Sequence, residues 1–317
     1  MHQARRLMAR PTMSFTDSFR SWRRRFKAAL PYVRRREHRI LQGRYADLIE
    51  GLGWTAAPAT QARLRAIKPV APNLAGEVCL FVTYAATQKL KRHVEIHIEH
   101  LLRAGVHVVL ILNTDLAPEA LTLDEALVRR LSGVLVRENT GFDFAAWAHV
   151  YALCESREQW TRLYLVNDSI IGPLNAPDFE RLVERIRTSQ ADVMGLTESQ
   201  TPLRHVQSYF LVFNAAALRS AVVQRVFQRM LSLPTKAQVI DVYETRLTQV
   251  LTRHGLRCEA LFPPLSDDPH SANDTSFRWE RLIGAGFPYI KTSVLAKHLG
   301  SARVRALVPA ELLEPED

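Results

Sequence analysis

Apolar and polar residues are blocked along most of this chain. From Glu77 the blocks switch regularly between short continuous apolar runs and the three-to-four spacing of amphipathic helices. Residues 79–85, CLFVTYA, predict a first strand. A helix follows with Leu90, Val94, Ile98, Leu101 and Leu102 on one face, Thr87 as its cap and Gly105 as its stop. Residues 106–112, VHVVLIL, predict a second strand that ends in Asn113, Thr114 and Asp115. A short helix over 123–131 and a third strand over 133–137 come next. ENTGFD then opens a helix through Trp147 to Leu153, ahead of the apolar run 163–166.

A βαβαβαβ series with uninterrupted apolar strands predicts a parallel sheet with helices on both faces and right-handed crossovers. Residues 164–173, YLVNDSIIGP, deliver Asn167, Asp168 and Ser169 into a turn closed by Gly172 and Pro173. Ligands of open α/β sheets collect outside the carboxyl ends of the strands. Asn113, Asp115, Asn139, Asp143 and Asp168 all fall at such ends, so their spacing predicts one polar edge. The trio 167–169 equally suits an Asx-turn that satisfies local backbone donors, and the local pattern leaves both readings open. Downstream, 192–197 and the long run 205–214 predict strands, and 215–230 and 236–254 predict helices. The strand CEALF, the polar loop SDDPHSANDT and short helices around Trp279 and Ile283 complete the chain.

Charge divides the molecule differently from hydropathy. Residues 1–70 carry 16 Lys and Arg against 4 Asp and Glu, whereas the remainder carries 26 against 28. The formal net charge of +10 therefore belongs to the N-terminal segment. Within residues 1–44, Phe19, Trp22, Phe26 and Leu30 interleave with Arg20, Arg23, Arg24, Arg25 and Lys27, the pattern of a basic amphipathic helix suited to an anionic leaflet. A solvated arm is the plainer reading. A nucleic-acid-binding arm is a third, but no recognised nucleic-acid module follows it, so no nucleic acid is expected. Residues 52–76, rich in Ala, Pro and Gly, read as a linker. The expected organisation is a basic arm and linker over 1–70 and a catalytic body over 71–317.

Cys79, Cys154 and Cys258 are far apart and form no CxxC pair, so they read as reduced, buried thiols. No apolar run approaches the ~20 residues that span a bilayer. Arg5, Arg6 and Arg10 precede no continuous apolar region. The expected location is cytoplasmic, peripheral at the inner face of the cytoplasmic membrane.

The absence of GxxxxGK[ST], GxGxxG and GxSxG motifs argues against P-loop, dinucleotide and α/β-hydrolase chemistry. His93, His97 and His100 share a helical face without an HExxH pattern and read as a solvated face. ENTGFDFAAW is richer. Gly141 lets the backbone approach a ligand or take positive φ. Asn139 can present an amide to a ribose or pyrophosphate, and Asp143 suits a helix first turn where it can also face a bound group.

The blocks NTGFDFAAW, YLVNDSIIGP, GLTESQ, HVQSYFLVFN, VIDVYETRLTQVLTRHG and GFPYIK, in this order across residues 77–292, resemble the rhamnan synthesis protein F family of bacterial polysaccharide glycosyltransferase-like proteins. The resemblance implies a GT-A-like, Rossmann-type, mostly parallel α/β sheet with helices on both faces, preceded by the basic helical arm. It implies transfer of rhamnose from dTDP-rhamnose to a lipid-linked or oligosaccharide acceptor of a cell-surface glycan such as lipopolysaccharide O-antigen. Tyr84 and Asp115 would lie beside the base, and Asn139, Gly141 and Asp143 would hold ribose and phosphates. Asn167, Asp168 and Ser169 take the place of a metal-binding Asp-x-Asp, with Mg²⁺ or Mn²⁺ at Asp168 on one carboxylate in place of two. Glu244 is the first candidate general base, Asp241 the second and Glu198 the third. Gln207, Ser208 and Tyr209 would meet the acceptor, Lys291 would neutralise a phosphate, and His270 would add a metal or phosphate contact. The missing second carboxylate keeps a non-catalytic nucleotide-sugar-binding or scaffold protein as the rival reading.

Overall fold

The structure, a computed structural model, describes residues 56–266 and 273–313. The chain divides between Gly51 and Leu52, and the described residues belong to the second unit. The basic arm and His270 lie outside the described residues.

Twelve strands are found among the described residues. They are β1 (Leu64–Lys68), β2 (Gly76–Tyr84), β3 (His107–Thr114), β4 (Gly133–Glu138), β5 (Trp160–Asn167), β6 (Ile170–Ile171), β7 (Val193–Gly195), β8 (Glu198–Ser199), β9 (His205–Val206), β10 (Phe210–Asn214), β11 (Cys258–Ala260) and β12 (Ile290–Lys291). Eight of them form one sheet in the order β1-β4-β3-β2-β5-β10-β7-β11. β2 to β5 are parallel neighbours, as the alternating series predicts. β10 runs antiparallel to both β5 and β7, and β11 is parallel to β7. The sheet is therefore mostly parallel, with β1 and β10 reversed.

This order fixes where a ligand belongs. From β2 the chain steps outward to β3 and β4 on one side, then crosses back to β5 on the other side of β2. The carboxyl ends of β2 and β5 thus bound the topological switch point, the crevice where open α/β sheets hold ligands.

Helices cover both faces. Val94, Ile98 and Leu101 of the helix Arg92–Arg103 share a buried cluster with Cys79 and Phe81 of β2 and with Phe179, Leu182 and Ile186 of the helix Ala176–Thr188. The helix Phe142–Leu153 is buried nearly all round, and its Trp147 Nε1–H donates to the Leu80 carbonyl at 3.0 Å. Each fully buried large apolar side chain of these layers contributes ~1.5–3 kcal/mol before the entropy of ordering it is counted. All three cysteines are buried and free, as expected.

Several expectations are corrected. Residues 52–76 are not simply a linker, because β1 lies within them and pairs antiparallel with β4 at the sheet edge. Its exposed pattern and its Arg65 and Lys68 suit an edge, where charge discourages further pairing. Lys68 Nζ also donates to the carbonyls of Val128, Arg129 and Leu131, which closes the carboxyl end of the helix Glu125–Arg130. Thr87 does not cap the first helix. Lys91 holds that position with extended backbone, and Thr87 Oγ1 bonds locally to the Lys89 carbonyl.

The histidine face is not solvated either. His93 and His97 are buried, and His97 sits among Phe81, Phe179, Phe210 and Tyr289 with its Nε2 2.9 Å from the Tyr289 hydroxyl. The run 205–214 breaks into β9 and β10, since Gln207 and Ser208 turn into buried polar contacts between them. The predicted helix 236–254 carries a π-helical turn at Ile240–Glu244 between the α-helical segments Lys236–Val239 and Thr245–Arg253.

Candidate active site at the strand carboxyl ends

The switch-point crevice is built around Asp168, the first residue after β5. Its Oδ2 accepts from the Thr83 hydroxyl at 2.6 Å, the Tyr84 backbone N–H at 3.2 Å and Lys91 Nζ at 2.7 Å. One carboxylate oxygen thereby ties together the ends of β2 and β5 and the start of the helix Arg92–Arg103. The Lys91 and Asp168 side chains are 24% and 19% exposed, so the pair is shielded but reachable from solvent. Tyr84 extends the edge outward. Its hydroxyl donates to Asp115 Oδ2 at 3.0 Å, and that bond raises the phenol pKa.

Beyond Asp115, the ends of β3 and β4 and the edge strand enclose a cleft of about 460 Å³ lined by Arg65, Thr114, Asp115, Pro118, Glu119 and Glu138. The loop bearing Asn139 is held from below by Arg137. Its buried guanidinium donates to the carbonyls of Glu138 and Thr140 at 3.0 and 2.6 Å, and burial lowers its pKa to about 10. Gly141 takes φ 70°, and a Cβ there would lie 2.5 Å from Ser232 Cα. Left-handed backbone and close packing therefore account for this glycine without a ligand.

Asp143 lies in the first turn of the helix Phe142–Leu153. Its Oδ1 accepts from the Phe144 N–H at 3.0 Å and its Oδ2 from Asn167 Nδ2 at 2.7 Å. Desolvation raises its pKa despite these bonds, and the Glu244 charge adds to the rise. Asn167 Oδ1 in turn accepts from the Ser169 N–H at 3.1 Å and from the Ser169 hydroxyl. The Asx-turn reading of 167–169 is thus realised alongside the site reading: the turn bonds hold the trio while Asp168 reaches across to β2.

Glu244 ends the π-helical turn, a local widening often found at functional sites. Its Oε2 accepts from the Ser208 hydroxyl, and His205 Nε2 lies 3.7 Å from Oε1, within ion-pair range but long for a hydrogen bond. Burial works against the charge of Glu244. The His205 and Ser208 side chains and the Lys291 charge outweigh burial and leave the pKa below the ordinary carboxylate value. Lys291 Nζ lies 5.5 Å over the Tyr209 ring. Desolvation lowers the Lys291 pKa, Glu244 opposes the fall, and Lys236 reinforces it. Glu244, Ser208, Tyr209, Lys291 and Asp143 therefore act on one another across a single patch.

The other sequence candidates divide. Gln207 and Tyr209 are buried, with Gln207 Oε1 and the Tyr209 hydroxyl both bonded to the Thr197 hydroxyl, so they support the wall of the site. Glu198 is committed to Arg204 at 2.7 Å and Gln200 at 2.6 Å. Asp241 is exposed, and among the described residues its carbonyl accepts from Thr245 and Arg246. Sequence reasoning missed Thr83, Lys91, His205 and Lys236. Lys91 lies in the basic cluster KLKRH just after the first strand, which is the signal that could have found it.

The fit of a divalent cation can be tested on these residues. Such an ion takes several hard oxygens at ~2.0–2.6 Å. Asp168 Oδ2 already carries three donors, one of them an ammonium, which leaves only Oδ1. No group of three or more Asp, Glu, His or Cys among the described residues is placed to hold a metal. The described residues therefore do not fit the Mg²⁺ or Mn²⁺ expected at Asp168. No helix among them is long and apolar enough to cross a membrane.

The profile of the rhamnan synthesis protein F (RgpF) family matches residues 108–311. The virulence protein VirA of Vibrio anguillarum is 28% identical over 55% of this chain and 65% of its own length, so the match spans less than two thirds of that relative. A solved mannosyltransferase, PcManGT from Pyrobaculum calidifontis in complex with GDP-Man and Mn²⁺, is 10% identical with a TM-score of 0.35 over 86% of this chain and 76% of that one. That likeness is too remote to bear on the site.

Proposed function

Since the chain belongs to the rhamnan synthesis protein F family, a glycosyltransferase-like family of polysaccharide synthesis, we propose that it transfers a sugar from a nucleotide-sugar to a growing cell-surface glycan. Within that reading the donor is dTDP-rhamnose and the acceptor a lipid-linked or oligosaccharide glycan. The base occupies the cleft beside Asp115 and Tyr84, and the diphosphate lies at the switch point between β2 and β5. An acceptor hydroxyl attacks the anomeric carbon, its proton passes to Glu244, and the bond from that carbon to the diphosphate oxygen breaks. The electron pair leaves with the diphosphate.

Glu244 is the observation that carries the reading. A shielded carboxylate whose pKa is held below the ordinary value, reached by Ser208 and faced by Lys291, is charged at neutral pH and so is in the unprotonated form a general base must have. Asp168 serves the site as an anchor and an electrostatic partner, and no step runs through a metal. The basic residues 1–44 keep the enzyme near its acceptor at an anionic leaflet. Their deletion is expected to release the protein from anionic vesicles, and unchanged vesicle binding would remove that role.

The decisive assay incubates purified protein with dTDP-rhamnose and with UDP-, GDP- and CMP-sugars, and follows release of the nucleotide together with glycosylated acceptor. Turnover with one donor supports the proposal. Binding of a nucleotide-sugar without turnover would favour the non-catalytic alternative, to which the engagement of Asp168 by protein donors lends specific support.

A further inference from the structure

Lys91 sits at the switch-point crevice and is absorbed by none of the roles above. Its backbone is extended at φ −63° and ψ 134°, one residue before the helix Arg92–Arg103. Its ammonium lies 2.7 Å from Asp168 Oδ2, the oxygen that also holds the ends of β2 and β5 together. An ammonium has three N–H donors. Asp168 takes one, and among the described residues no protein acceptor takes the other two. The side chain is 24% exposed, so the ammonium is reachable from solvent at the crevice.

The geometry points to Lys91 as the cation that binds the diphosphate of the nucleotide-sugar, in the place where a divalent metal was expected. This inference rests on the glycosyltransferase reading and names the group at its site that neutralises the leaving diphosphate. Three observations join in it. Asp168 Oδ2 is saturated, so a metal there would have to expel an ammonium from the same oxygen. Among the described residues, the donor set around it lacks the clustered carboxylates and imidazoles a metal takes. Two charged donors stand unspent where the sheet topology directs a ligand. Asp168 is then a positioning residue. It fixes the Lys91 ammonium at the crevice, while the Thr83 hydroxyl and Tyr84 N–H fix Asp168 in turn. Lys91 meets phosphate as a point charge and Asp168 prevents its side chain from wandering, so less entropy is lost on binding.

Calorimetric titration of dTDP, UDP and GDP tests this in two buffers, one with EDTA and one with Mn²⁺. The proteins are the wild type, Lys91→Met, Lys91→Arg and the double variant Lys91→Met/Asp168→Asn. The double variant removes both charges together and guards against a single variant that fails to fold. The inference expects the preferred diphosphate to bind the wild type equally in both buffers. It expects a ~10–100-fold loss of affinity in Lys91→Met and in the double variant, the scale of charge-assisted hydrogen bonds, and a smaller loss in Lys91→Arg. The matching monophosphate should lose less than the diphosphate. Two outcomes overturn the inference and leave the glycosyltransferase reading standing: wild-type binding that EDTA abolishes and Mn²⁺ restores, or Lys91→Met and the double variant binding as the wild type does. Failure of every nucleoside diphosphate to bind the wild type in either buffer overturns the glycosyltransferase reading, and the inference with it.

Discussion

The two edges of the sheet treat charge in opposite ways. At the amino edge, Glu77 is closed in by Arg162 Nη1 at 3.0 Å, by Arg187 at 3.1 Å and by the Tyr164 hydroxyl at 2.9 Å. Burial would raise the Glu77 pKa, but the Arg187 and Tyr164 bonds and the two guanidinium charges bring it below the ordinary value. Both guanidiniums are paired with Glu77, although Arg162 Nε is buried without a hydrogen-bond partner among the described residues. At the carboxyl edge, among the described residues, Lys91 keeps two donors unspent and Lys291 faces Glu244 without forming an ion pair. A carboxylate enclosed by guanidiniums has finished its work in the fold. One held by a hydroxyl and an imidazole, with an ammonium at a distance, retains the capacity to accept a proton. What separates structure from chemistry here is the company each carboxylate keeps, since both edges lower a glutamate pKa.

The largest effect expected from this contrast is on turnover. Glu244→Gln keeps the shape and the Ser208 contact but removes the proposed base, and should lower kcat by ~10²–10⁴-fold. Nucleoside diphosphate affinity should stay within ~3-fold, well under one tenfold step of binding energy. Wild-type turnover in this variant would break the comparison by leaving the carboxyl edge without its proton acceptor.

Acid separates the edges next. Burial lowers the His97 pKa to about 3 and the His149 pKa to about 4, so the native state keeps both neutral while the unfolded chain protonates them near 6.5. The unfolded state then binds more protons, and stability that is complete above pH 6.5 is lost as pH falls toward those values. Urea unfolding should record a loss of about 5 kcal/mol between pH 7 and pH 4.5, roughly half from each histidine. Glu77 and Glu244, with folded pKa values below 4.5, stay ionised across most of that range and lose their contributions only below it. A flat midpoint over this window would mean that His97 is not held neutral in the core. The acid limb of kcat/KM therefore has to be measured where the fold is intact, above pH 5.

The smallest effect reverses the first. Glu77→Gln leaves Arg162 and Arg187 without their shared counter-charge and should cost about 1–3 kcal/mol of unfolding free energy. Arg187 is 38% exposed and so partly screened by solvent, which favours the low end. The kcat of the folded protein should not change. A Glu77→Gln variant as stable as the wild type but slower would show that the amino edge reaches the chemistry.

The strands and helices around β2 to β5 were legible in the chain because burial on both faces demands continuous apolar runs, and those runs are local. The polar strand ends at Asp115 and Asp168 were legible for the same reason, since each follows such a run. Residues whose role depends on partners far along the chain were not legible. Lys91 reads as one basic residue among several until β5 brings Asp168 beside it, 77 positions away. β1 reads as linker because an edge strand needs little apolar surface, and its pairing with β4 spans more than sixty positions. His97 reads as a surface residue because helical periodicity marks a face without saying what covers it, and the cover includes Tyr289, 192 positions later.

By itself, then, the sequence determined the α/β class, the parallel core, the carboxyl-edge location of the polar residues and the family blocks, all of which follow from local periodicity and residue order. Only the tertiary structure decided which carboxylate is anchored and which is poised. It joined Asp168 to Lys91, set Glu244 on a π-helical turn against Ser208, and withdrew Glu198 into an ion pair with Arg204. The physical reason is that the state of a carboxylate depends on the charges and donors within a few ångströms of it, and folding gathers those neighbours from distant parts of the chain.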